Sequence, residues 1–66
     1  MRAREFKRTR TGLGLSQVRL AKALGMSPLQ VLRYEHGYAK VPRVVALALE
    51  ALEGRAAEGS ERQRPA

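Results

Sequence analysis

SQVRLAKALGMSPLQVLRYEHG, residues Ser16 to Gly37, is the stretch that decides the fold. Ser16 is a good N-cap, because its hydroxyl can accept from the unpaired N–H groups of a first helical turn. Arg19, not an acid, stands three residues on, so the reciprocal half of a capping box is missing. Val18, Leu20, Ala21 and Leu24 then form an apolar stripe with Arg19 and Lys22 off it, which predicts a helix over 16–24. Gly25 follows where a helix end favours a left-handed residue, and Met26 can tuck under the turn. Ser27 caps a new helix and Pro28 takes its first position, where a fixed φ fits and a missing N–H costs nothing. This second helix is expected over 28–36, ended by Gly37.

Outward from this pair, the N-terminal side predicts a helix over 2–11, with Ala3 and Phe6 on one side and Lys7, Arg8 and Arg10 around it, stopped by Gly12 and Gly14. On the C-terminal side, Tyr38 to Val41 reads as a loop and Pro42 opens a fourth helix. VVALALEALE places Val45, Leu49 and Leu52 on one face of that helix, and Gly54 is its expected end. Ala and Leu are abundant while Thr, Ile and aromatics are scarce, a balance that favours helices. The fold class is all-α: a compact bundle of four short helices, or five if the tail adds one. Residues 1–54 form the domain. Residues 55–66 are polar and small, cannot recover ordering entropy by burial, and are expected to be a disordered tail beyond a frayed extension.

A chain of 66 residues buries only about 60% of its unfolded surface, so its stability margin is thin. It has no cysteine and one histidine, which excludes disulfides and thiolate metal sites; no metal and no cofactor are expected. No nucleophile stands with a His and a carboxylate, so an enzyme is not expected. No apolar run approaches the roughly 20 residues needed to span a membrane, which gives the expectation of a cytoplasmic protein. Charge carries more information. Residues 1–43 hold ten Lys and Arg against Glu5 and Glu35, whereas residues 44–66 hold three Arg against four Glu. The excess of +8 on the first part suits a polyanion, since each cation that neutralises a phosphate releases a condensed counterion.

Two helices of about nine residues across a glycine turn form a helix-turn-helix. The chain resembles the Cro/repressor-type (XRE-like) helix-turn-helix family of DNA-binding regulators, from Phe6 to Leu52. The features that carry the resemblance are the GLSQ start of the second helix, Leu20-Ala21 within it, Leu24 to Ser27 across the turn, an apolar Val31, and Tyr34-Glu35-His36-Gly37. It implies that 28–36 is the recognition helix, and that Arg10 and Glu35 pair as a partly buried salt bridge. Phosphates would be held by Ser16, Gln17, Ser27, His36, Lys40 and Arg43. Base reading would fall to Pro28, Leu29, Gln30 and Arg33. Here the sequence departs from phage repressors that place polar, often amide, side chains at the first positions of this helix. Pro28 and Leu29 cannot donate to a base but can pack on a thymine methyl, and Arg33 can reach O6 and N7 of a guanine. Alternatives stand beside each: Leu29 against the second helix, Arg33 on phosphate alone, Gln30 in solvent, His36 as a mere surface residue.

A single module this small buries too little to be both tight and specific, so a homodimer is expected on an inverted-repeat operator in double-stranded DNA. Val45, Leu49 and Leu52 are the candidates for the dimer interface. No small-molecule ligand is evident, which suits an autorepressor of a phage, plasmid or similar mobile element, active at the nucleoid. Toxin-antitoxin and anti-CRISPR operons use small regulators of this kind. The competing reading is an antitoxin or bridging protein whose main role is to hold a protein partner, with the tail folding on binding.

Overall fold

The computed structural model describes the backbone of residues 1–62 and the side-chain surroundings of residues 1–56. Four helices follow one another: α1 (Ala3–Gly12), α2 (Gln17–Leu24), α3 (Pro28–Glu35) and α4 (Arg43–Arg62). The described residues contain no strand. The fold is therefore the all-α bundle that composition and punctuation predict.

Helix ends follow from local chemistry. Ser16 Oγ accepts from the Arg19 N–H at 3.1 Å and Ser27 Oγ accepts from the Gln30 N–H at 3.3 Å. Each cap satisfies one of the donors that a helix start leaves open. At the other ends, α1, α2 and α3 close with the same device. A glycine of positive φ (Gly14, Gly25 and Gly37, at 70°, 72° and 74°) turns the chain. Its N–H and that of the next residue then return to carbonyls of the last turn. Leu15 N–H meets the Arg10 carbonyl at 3.3 Å, Met26 the Ala21 carbonyl at 2.9 Å, and Tyr38 the Arg33 carbonyl at 2.9 Å. These are three Schellman motifs in succession.

Phe6, Leu20, Ala21, Val31, Tyr34 and Leu49 are buried together as the core. Every helix thus contributes. Phe6 and Tyr34 pack with ring centroids 5.4 Å apart and planes tilted by 54°, an arrangement that suits the quadrupoles of two aromatic rings. Leu15, Leu24, Met26, Ala39, Val41, Val45 and Leu52 close around them, half-buried.

Four expectations need correction. Val18, placed in the apolar stripe of α2, is 51% exposed; Leu20 and Ala21 are buried and Leu24 is half-buried against the core, so the stripe is narrower than the spacing suggested. His36 is the C-cap of α3 and not part of it, because Gly37 already turns the chain. Gly54 does not end α4, which runs through it to Arg62. Its φ is not positive, unlike the three glycines that terminate helices. The boundary expected after residue 54 consequently falls inside a helix, and residues 63–66 of the expected tail lie outside the described residues. Finally, Leu49 is fully buried in the core. It cannot offer a surface to a second subunit.

Candidate nucleic-acid interface

Packing fixes which side of α3 is left for a partner. Val31 and Tyr34, three residues apart, are both buried. Helical geometry then turns Leu29, Arg33 and His36, at i, i+4 and i+7, to the opposite side. All three are exposed, Leu29 at 55%. Pro28, also exposed, and Gln30, half-buried, flank this stripe. Leu29 is accordingly not packed away against α2. Ser27 closes the helix start with its hydroxyl oxygen, whose own hydrogen stays free to donate; the same holds for Ser16 at the start of α2.

The orientation of α3 is held from behind by one carboxylate. Arg10 Nε donates to Glu35 Oε2 at 2.9 Å, and Arg10 Nη2 donates to Glu35 Oε1 at 2.9 Å. A third guanidinium N–H, on Nη1, reaches the Leu15 carbonyl at 2.9 Å. The Glu35 side chain is 3% exposed and that of Arg10 13%. Gln17 Nε2 also leans on Glu35 Oε2, at 3.4 Å. The carboxylate thereby ties the end of α1 and the start of α2 to α3, and Arg10 adds the α1–α2 turn. Bidentate fork-to-fork geometry of this kind fixes direction as well as distance. The Gln17 amide carries a second hydrogen beside the one given to Glu35. Among the described residues, no buried side-chain polar atom is left without a partner.

The same pairing decides the electrostatics of the exposed face. Between residues 33 and 43 the cations Arg33, Lys40 and Arg43 are exposed, and the single carboxylate, Glu35, is sequestered. What faces solvent there is cationic only. His36 and Tyr38 add a stacked pair, with centroids 5.7 Å apart and planes 22° from parallel. Tyr38 was not singled out from the sequence, where it reads as loop. The usable signal was its place after Gly37: a glycine that ends a helix positions the next residue over the last turn.

The dimer candidates separate on α4. Val45 and Leu52 are half-buried against the core, and Leu49 lies within it. Among the described residues, Val44 and Leu47 are the large apolar side chains that α4 turns outward, at 72% and 51% exposure. No helix of the described residues is long and apolar enough to cross a membrane.

A helix-turn-helix family model matches residues 6–52, spanning α1, both helices of the motif, the loop and the first half of α4. No curated protein and no solved structure matched the chain. With two capped helices across a glycine turn, the second turning Leu29 and Arg33 outward, and a match over most of its length, the chain belongs to the Cro/repressor-type (XRE-like) helix-turn-helix family of DNA-binding regulators.

Proposed function

We propose that the chain is a sequence-specific transcriptional regulator, an autorepressor that binds an inverted-repeat operator as a homodimer and lays α3 in the major groove. The observation that carries this reading is the outward stripe Leu29, Arg33 and His36, on a helix whose opposite side is fixed by Val31, Tyr34 and the Glu35 carboxylate. Arg33 reads a guanine through O6 and N7. Leu29, with Pro28 beside it, covers a thymine methyl, and Gln30 supports at the flank. Ser16, Gln17, Ser27, His36, Lys40 and Arg43 hold phosphates and set the register of the helix on the duplex. The protein acts at the nucleoid. The second subunit is held through α4, where Val44 and Leu47 are exposed, with half-buried Val45 and Leu52 at the margin.

Selecting bound fragments from a random duplex library tests the proposal. A palindromic site with half-sites about one helical turn apart is the expected result. On that site Arg33→Ala should cost about 1–3 kcal/mol per subunit and relax preference at one base pair of each half-site, while Lys40→Ala should weaken all duplexes alike. Sequence-blind losses from both substitutions would remove Arg33 as a base reader. Recovery of no enriched duplex at all would sink the regulator reading.

A further inference from the structure

The three Schellman closures differ in what they do with the residue after the glycine. Leu15 and Met26 are half-buried and pack on the core. That is the usual service of the position, where an apolar side chain covers the last turn of its own helix. Tyr38 holds the same place after Gly37, with the same backbone bond to the helix end, yet it is 78% exposed. Its ring rests on His36 alone among aromatic partners. A tyrosine contributes to a fold chiefly through the large area it covers, and this one covers little.

The charges of its own segment explain the position better than packing does. Along the chain on either side of Tyr38, the exposed charged groups are donors: the guanidinium of Arg33, the ammonium of Lys40 and the guanidinium of Arg43. The one carboxylate of the segment is turned inward, with both oxygens on Arg10. Residues 33–43 thus expose cations and the phenol on one short segment, with no exposed anionic acceptor of their own. An anion from outside the chain would complete it.

We infer that the Tyr38 hydroxyl donates a hydrogen bond to a backbone phosphate of the duplex, at the edge of the groove that Arg33 enters, with the His36 ring beneath setting its direction. The inference rests on the DNA-reading proposal above. It assigns Tyr38 a distinct physical signature. A neutral donor displaces no counterion, so it adds affinity without adding to the salt dependence, whereas each Lys or Arg on a phosphate adds to both.

The test uses the full chain and the duplex enriched from the random library. Tyr38→Phe keeps the ring and removes the donor. It should bind about tenfold more weakly for each subunit on the duplex, as expected for a lost hydrogen bond to a charged group. The loss should be equal on enriched and unrelated duplexes, with the slope of affinity against salt unchanged. Lys40→Ala, measured alongside, should lower that slope by about one unit for each subunit on the duplex. Tyr38→Phe and Tyr38→Ala should both melt at the wild-type temperature, which separates binding from folding. Wild-type affinity in Tyr38→Phe, with the parent binding normally, overturns the inference alone and leaves the surface to another kind of partner, such as an acidic protein segment. A parent chain that binds no duplex overturns the regulator reading and this inference together.

Discussion

At the scale of single residues, the arrangement behind the recognition helix is more informative than the side chains in front of it. The Glu35 carboxylate is 3% exposed and held by a bidentate guanidinium. Removing one partner of such a pair leaves an uncompensated charge, at a cost of about 3–5 kcal/mol. Small domains have totals near the lower end of about 5–15 kcal/mol, so Arg10→Ala should keep a margin of only about 0–2 kcal/mol and melt at a much lower urea concentration, as followed by circular dichroism. Replacing both partners with apolar groups, Arg10→Met with Glu35→Leu, should restore most of the loss. Spacing in the sequence does not pair residues that lie 25 positions apart; only the family resemblance pointed to them. The Gln17 amide reaches Glu35 through tertiary folding, and the Leu15 carbonyl accepts from Arg10 once that guanidinium is held by Glu35; neither bond has a signal in the sequence. Leu49 is a parallel case. Apolar residues at 44, 45, 47, 49 and 52 give α4 more than one apolar side, and packing decides which is core. Leu49→Ala should therefore cost about 2–5 kcal/mol in thermal unfolding, and Leu47→Ala no more than about 0.5 kcal/mol.

At the scale of elements, the chain announces its helix ends in local chemistry, which is why they were legible. Serine accepts from the N–H three residues ahead, proline suits a first turn, and glycine reaches positive φ without a side-chain penalty. Gly25 gives the cleanest measure of the last point. A Cβ at that position meets nothing within 4 Å, so the cost of Gly25→Ala is backbone strain without steric overlap. It should come to about 1–2 kcal/mol in urea denaturation, with Gly25→Asn milder because its short polar side chain tolerates the left-handed region. Equal losses for the two would indicate a different origin. Gly54 shows where local reading fails. It is flanked by Ala51, Leu52, Glu53 and Arg55 to Ala57, good helix formers that carry the chain through a penalty of about 1 kcal/mol. A glycine ends a helix when the chain after it has somewhere to pack. Leu15 and Met26 have such places, and Gly54 is followed by small and charged residues that do not require one.

At the scale of the whole molecule, charge and size set how the protein meets DNA. The excess of cations on residues 1–43 predicts binding that weakens steeply with salt. For about 6–10 phosphate contacts per dimer, affinity should fall by about 10³–10⁵ between 50 and 200 mM salt, measured by fluorescence anisotropy of a labelled duplex. A flat response would remove the electrostatic footing of the proposal. Leu47→Glu should shift sedimentation toward the monomer and weaken operator binding while leaving the melting temperature in place, since the side chain is half exposed. The sequence conveyed the fold and the direction of the charge, both being sums over many residues. It did not convey which outward side chains lack a partner, which depends on how four helices share one small core. Those surroundings also make the protein its own optical probe. It has two tyrosines and no tryptophan. Tyr34 is 5% exposed and Tyr38 78%, so a collisional quencher dissolved in the buffer reaches one phenol in the folded chain and both after unfolding. Quenching that diminishes when duplex is added would report occupancy at Tyr38, and quenching that grows with denaturant would report the opening of the core at Tyr34, from one unlabelled sample.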